Sequence, residues 1–514
     1  MIPFPDAVGV AIAALRLQRS FTQLYATRTP PQPGRVILVL PPSHPDAMRQ
    51  RSATTAANRF GLGARPGDLE RIGRDATGWL SAQIDPRRPV PARLAGYPGS
   101  EEIVREAFAF QLAGRPEENR DKVRAYRRRF EAENAERLLT MSASDTPFAE
   151  RMVLFWSNHF TVARSRGITA AALGAYEREA IRPHVFGRFE DMLLAVCRHP
   201  CMTTYLDNMV SVGPNSREGG GARAAANPKA RRRGLNENLG REILELHTLG
   251  VDGGYRQEDV VELAMAISGW THGGRRSRRD LEAGRAIHGN FEFKPSMHEP
   301  GTRTVLSRRY ADDGEAQGET ILRDLARHPS TAKHVATRLV RHFVDDDPPA
   351  QDIARIAAVF ERSGGDLAEI SRALIGLDGA WRRPLSKVKT PYEFVCSTLR
   401  AVGIGTSDAG DSIRKPERFV NALRQMGHLP FGATSPAGWP DGARHWVSPD
   451  ALMRRIEWVR AAARGFDRSL DPTSVLDSAL AEQASASTRS WVERAPSPDA
   501  ALAMVFASHE FQRR

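Results

Sequence analysis

Residues 234–270, GLNENLGREILELHTLGVDGGYRQEDVVELAMAISGW, constrain the chain more than any other stretch. They read as two helices joined by a turn so short that the pair must pack antiparallel. Asn236 suits the N-cap of the first helix, with Glu237 in the first turn where the macrodipole favours an anion. Gly250 suits the left-handed position that ends it. At about 100° per residue, Glu237, Asn238, Arg241, Glu242 and Glu245 share one arc of about 140°, beside an apolar stripe of Leu239, Ile243 and Leu246. His247 projects on another side. The spacing 237–241–245 predicts a carboxylate–guanidinium–carboxylate ladder. The second helix runs from about 256 to 269. Arg256 is a poor cap, partly compensated by Glu258 and Asp259, and Val260, Val261, Leu263, Ala264 and Ile267 form the buried side.

Other stretches join this one in a fixed order: AANRFGLGARPGDLERI at 56–72, FWSNHF at 155–160 and HEPGTRTVL at 298–306. HPSTAKHVATRLVRHFVDDDPP at 328–349, KTPYEFVCSTLRAVG at 389–403 and SPAGWPDG at 435–442 follow. With NENLGREILELHTLGVDGGY, these resemble the bacterial domain-of-unknown-function 1800 family from about residue 56 to the end. The resemblance implies a fold but brings no activity with it. Arg256 departs from the family's small hydroxyl cap, and Glu299 stands where the family usually has Asp.

The expected fold class is mainly α: a large multi-helix domain over 56–514 with long loops at 211–233 and 273–290, and at most a small β-hairpin. Helices are expected at 68–83, 100–113, 117–140, 170–185, 188–198, 319–328, 331–343, 350–363, 367–377, 390–399, 415–426, 449–464 and 500–511. FEFKPSMHEPGTRTVL is the candidate hairpin. Residues 1–55 read as a weakly ordered N-terminal extension.

Charge separates function classes. Lys+Arg number 73 against 61 Asp+Glu, a formal net charge of +12 carried almost entirely by arginine. Without a nucleic-acid motif this reads as charge spread over the surface, and nucleic-acid contact through Arg-rich loops at 222–233 and 275–279 is the weaker alternative. Cys197, Cys201 and Cys396 are too few for a disulfide scaffold or zinc ribbon, and small core residues are the plain reading. No apolar run reaches the length of a membrane span. AVGVAIAAL at 7–15 lacks a basic flank and a cleavage site, so the chain as written reads as cytoplasmic.

Candidate chemistry starts at the polar arc. Glu242 and Glu245, with His159 and His298 arriving from FWSNHF and HEPG, form the expected acid–base set. Asn158, Glu237, Asn238, Arg241, His247, Arg338, Arg341, His342 and Lys389 are the expected ligand contacts. Arg338, Arg341 and His342 bind an anion or supply counter-charges to Glu242 and Glu245, the second being favoured. Lys389 caps its segment or reaches the site, and Trp439 packs a proline-bounded turn. The di-metal Glu-x-x-His spacing is absent because Leu244 stands three residues before His247, so the metal and the cofactor stay unknown. The sequence leaves open a cleft that binds a metal ion or small anionic ligand, with hydrolysis as its chemistry, and a non-catalytic scaffold whose polar cluster is a structural network. The partner is correspondingly a small molecule or a protein.

Overall fold

Proline starts most of the helices that matter. Those at Pro147–His159, Pro200–Tyr205, Pro329–Phe343, Pro391–Ala401, Pro449–Ala463 and Pro498–Ala507 all open on it. The ring presets φ and removes an N–H that has no intrahelical partner there. In all of these but Pro147–His159, the preceding side chain accepts from a free N–H of the first turn. Ser448 and Ser497 do so with a hydroxyl, and His199 and His328 with Nδ1. At 390–393 the bond is reciprocal, because the Glu393 carboxylate also accepts from the Thr390 N–H at 2.8 Å.

The computed structural model describes residues 53–73, 75–113, 119–164, 167–219, 234–273, 289–404 and 417–514. The expected N-terminal extension, apart from its last residues, and the Arg-rich segments at 222–233 and 275–279 lie outside them. The fold is mainly α, as expected. Among the described residues the main hydrophobic core draws on side chains from Ala53 to Phe511, and a small second cluster joins Val388, Ala443 and Trp446. Helices Pro329–Phe343 and Ala350–Ser363 pack as a hairpin over it. Among the described residues no helix is long and apolar enough to cross a membrane.

Three local differences from expectation have physical causes. The 68–83 helix divides into Asp68–Ile72 and Ala76–Ser81, because Asp75 caps a new start by accepting from Gly78 N at 2.8 Å. The FEF segment does not pair with the TRTV that follows it. Phe291–Phe293 pairs with Trp270–His272, and Arg303–Val305 pairs with Arg308–Tyr310, giving two minimal antiparallel ladders. In the organising pair, the α-helix Asn238–Glu242 loosens into a π turn at Ile243–His247.

Part of the arginine excess is interior rather than spread over the surface. Arg59, Arg151, Arg400 and Arg455 are fully buried. Arg400 donates to the carbonyls of Gly63, Ser142 and Ser144 and pairs with Asp68. Arg59 donates to Val344 O at 2.8 Å, and Arg151 to Gly61 O at 2.6 Å. A planar guanidinium satisfies several carbonyls at and just after helix ends at once, which an ammonium cannot do with the same geometry.

Candidate functional site

The polar arc lies on the partly exposed side of its helix. Arg241 donates to Glu237 at 3.0 Å and to Gln257 of the facing helix at 2.8 Å, and Gln257 donates to Glu237 in turn. Glu245 takes the Tyr255 hydroxyl at 3.2 Å, so only half of the expected ladder forms. Asn236 serves the helix start by accepting from the exposed Asn238 N–H at 2.9 Å. Asp259, not the Arg256 side chain, caps the second helix, accepting from Arg256 N and from Leu306 N. Burial, and then the Glu245 carboxylate, push the Glu242 carboxyl up to about 7.

The histidines lie behind this helix and spend themselves on its carbonyl end. The π turn leaves the carbonyls of Leu246 and His247 without helical partners. His334 Nε2 meets the first at 3.1 Å and His159 Nε2 the second at 3.1 Å. Since a carbonyl only accepts, each imidazole carries its proton on Nε2. Their rings stand 6.0 Å apart, with His247 6.5 Å from His159. Burial pulls His247 down to about 3 and His334 to about 4, with Arg338 adding to both. These rings are neutral.

His298 is elsewhere. Its Nδ1 faces Ser268 O at 3.1 Å, while Glu299 N donates to Ser268 Oγ at 2.8 Å. The Glu299 carboxylate receives the Asn215 backbone N–H at 2.7 Å and its side-chain amide at 2.6 Å. A Cβ on Gly213 would stand 2.6 Å from the Glu299 backbone. HEPG is thus a buckle fastening residues 211–219 to the end of the second helix. His159 and His298 are each committed to a backbone carbonyl, and the expected meeting with Glu242 is replaced by three separate arrangements.

A fourth arrangement has the geometry of a site. Four of the stretches singled out above converge on one pocket: FWSNHF, RHF at 341–343, TPYE at 390–393 and WPD at 439–441. Asn158 holds it together by donating from Nδ2 to Trp439 O at 2.8 Å and accepting from Trp439 N at 2.7 Å. That clamp brings Asp441 to His342, with Oδ1 2.6 Å from Nδ1. Burial works to raise the Asp441 carboxyl, but His342, Lys387 and Arg338 hold it far below the usual carboxylate range. An ionised carboxylate can only accept, so Nδ1 carries the proton and Nε2 presents its lone pair. Nε2 has no hydrogen-bond partner among the described residues and stands 4.0 Å from Glu393 Oε1. Burial keeps His342 below the ordinary histidine value, against the pull of Asp441.

Glu393 is fixed by the capping bond from Thr390 N, by Arg151 on one oxygen and by Arg514 Nε at 3.2 Å on the other. Burial would raise its pKa, but these two guanidinium groups hold it far below the usual range. The hydroxyl of Ser157 on the pocket wall is not a companion to His342, because it donates to Glu177 at 2.9 Å. Arg137 pairs with the same Glu177 and lies over the Tyr392 ring at 5.0 Å. His428 packs against Trp446 and Trp439, and burial pulls it down to about 3.

Of the expected residues, Asn158 and His342 line this pocket, and Lys389 lies one residue before its edge. Arg338 acts on Asp441 rather than on Glu242 or Glu245, and Arg341 is exposed. Sequence reasoning missed Glu393, Asp441 and His428. Two of them sit inside the stretches KTPYEF and GWPDG, which were the available signal. Among the described residues no group of three or more His, Cys, Asp or Glu is placed to hold a metal ion. All three cysteines are free and buried, and burial pushes their thiols up, to about 11 for Cys396.

A family model described as "Protein of unknown function (DUF1800)" matches residues 55–513. No curated protein and no solved structure matches the chain.

Proposed function

Since the chain belongs to the DUF1800 family, whose description assigns no task, we propose from the pocket alone that the protein is a hydrolase using His342 as general base and Asp441 as its positioning residue. One observation carries this reading: the imidazole of a pocket-lining residue is held by a buried carboxylate on Nδ1 and has an unbonded Nε2. A neutral imidazole in that state takes a proton from water as the water attacks a small polar ligand. Asp441 then stabilises the imidazolium, with Glu393 across the 4.0 Å gap. With the Ser157 hydroxyl committed to Glu177, water is the nucleophile in this reading.

The test is hydrolysis of a panel of nitrophenyl esters, phosphate esters and glycosides by the full chain. Turnover of one class should fall ~10²–10⁴-fold in His342→Gln, with the melting temperature preserved. Asp441→Asn should lower kcat with little change in KM. No turnover of any class, or turnover indifferent to His342→Gln, overturns the proposal.

The arc at 237–245 supports a second, non-catalytic role. The Glu237 carboxylate is occupied by Arg241 and Gln257 and that of Glu245 by Tyr255, which suits a joint between two helices.

A further inference from the structure

Near Glu393, but not among the residues lining the pocket, lies a group of buried cations with too little negative charge. Lys389 and Arg455 are each 1 % exposed. Lys389 Nζ sits 4.0 Å over the Phe511 ring, and Arg455 lies 5.3 Å over that of Phe394. Those two rings are 6.1 Å apart. Gln512 ties the cations together: its backbone carbonyl accepts from Lys389 N at 3.0 Å, and its side-chain oxygen takes Arg455 Nη1 at 2.9 Å. Lys389 Nζ, Arg455 Nε and the second Arg455 amino group have no hydrogen-bond partner among the described residues.

Glu393 is the carboxylate that acts on both cations, and it is already paired with Arg151 and Arg514. Buried water would satisfy the orphaned N–H groups but not the charge. Burial pulls Lys389 down to about 7, which relieves one charge and leaves the guanidinium groups. A planar guanidinium and an ammonium with unused donors in a dry setting are a recognition set for an oxyanion.

We propose that Lys389 and Arg455 form a buried binding site for an oxyanion, either free inorganic phosphate or sulfate, or the phosphate or carboxylate group of a larger molecule. The site does not depend on His342 acting as a base. The probe is inorganic phosphate, with melting of the full chain followed against sodium chloride of equal ionic strength. Phosphate in excess of its Kd should raise the melting temperature by about 3 °C or more. Lys389→Met and Arg455→Met should lose that response, while melting no lower than the parent in phosphate-free buffer, because each removes an uncompensated charge. Should neither variant fold, the desalted parent protein is denatured and the released anions are measured by ion chromatography and mass spectrometry. Stoichiometric phosphate or sulfate identifies a free ion, and an organic phosphate or carboxylate identifies a larger molecule. No phosphate-specific shift together with no released anion overturns the site. So does a phosphate shift that both variants retain. Loss of hydrolysis in His342→Gln with the phosphate response intact would separate the two proposals.

Discussion

The helix pair at 236–267 and the pocket around His342 use the same residue types, carboxylate, guanidinium and imidazole, to opposite ends. In the helix pair the charged groups find partners four residues away or across one short turn, and they stay partly in water. In the pocket, Asp441 comes from 99 residues beyond His342, and Arg151 from 242 residues before Glu393. A local network relaxes as a unit when one member is lost. An assembled one leaves its remaining members buried and charged, which the low-dielectric interior penalises heavily.

The sharpest way to break this comparison is to remove one guanidinium from each region. Arg151→Met leaves Glu393 with part of its charge unmatched inside the core and should destabilise the chain by about 3–5 kcal/mol. Arg241→Met removes a partner from Glu237 on a helix where both side chains stand more than a third exposed, and should cost at most about 1 kcal/mol. Denaturant unfolding of the two variants decides it. Equal losses would mean that the two regions are energetically alike.

A smaller effect lies at the buried imidazoles in and around the π turn. His334 and His247 titrate below the ordinary histidine value when folded, so stability is complete above about pH 6.5 and is lost as acid protonates the unfolded chain first. Between about pH 6.5 and 5 each such imidazole contributes a slope of about 1.4 kcal/mol per pH unit. His334→Gln keeps an N–H for the Leu246 carbonyl and should flatten the pH dependence of unfolding by about one proton. An unchanged slope would place these rings outside the folding equilibrium.

What could be read in advance follows the same division. Helix periods, proline starts and the glycine after residue 249 are local, and most helices stand where periodicity puts them. Gly250 does take a φ of 87°. The Glu237–Arg241 pair is also local and forms. Asp441 has no periodic context, and its partner is set by the two bonds between Asn158 and Trp439, which no spacing rule encodes. Glu393 is visible as the third residue of a capping box, yet a capping glutamate is ordinarily exposed. Only the fold shows it at 3 % exposure with two guanidinium partners. The inward arginines escaped notice because composition counts charge without saying which face carries it.

The finest test concerns Glu242, whose spacing made it the leading catalytic candidate and whose position makes it a mild liability. Its folded pKa of about 7 lies above the ordinary glutamate value. Between about pH 4.5 and 7 the unfolded chain therefore releases a proton that the folded chain keeps, and stability declines as pH rises through that window. Glu242→Gln removes the ionisation and the repulsion from Glu245. Because the side chain is only half-buried, solvent screens the effect, and the gain at pH 8 should be below about 1 kcal/mol, vanishing near pH 4. Melting curves at the two pH values measure it. A stabilised variant that keeps full turnover would assign the arc to structure and leave the chemistry to His342. A variant with lost turnover and unchanged melting would move the site back to the helix pair, where two carboxylates three residues apart, Glu242 and Glu245, would then share the work with water rather than with a buried imidazole.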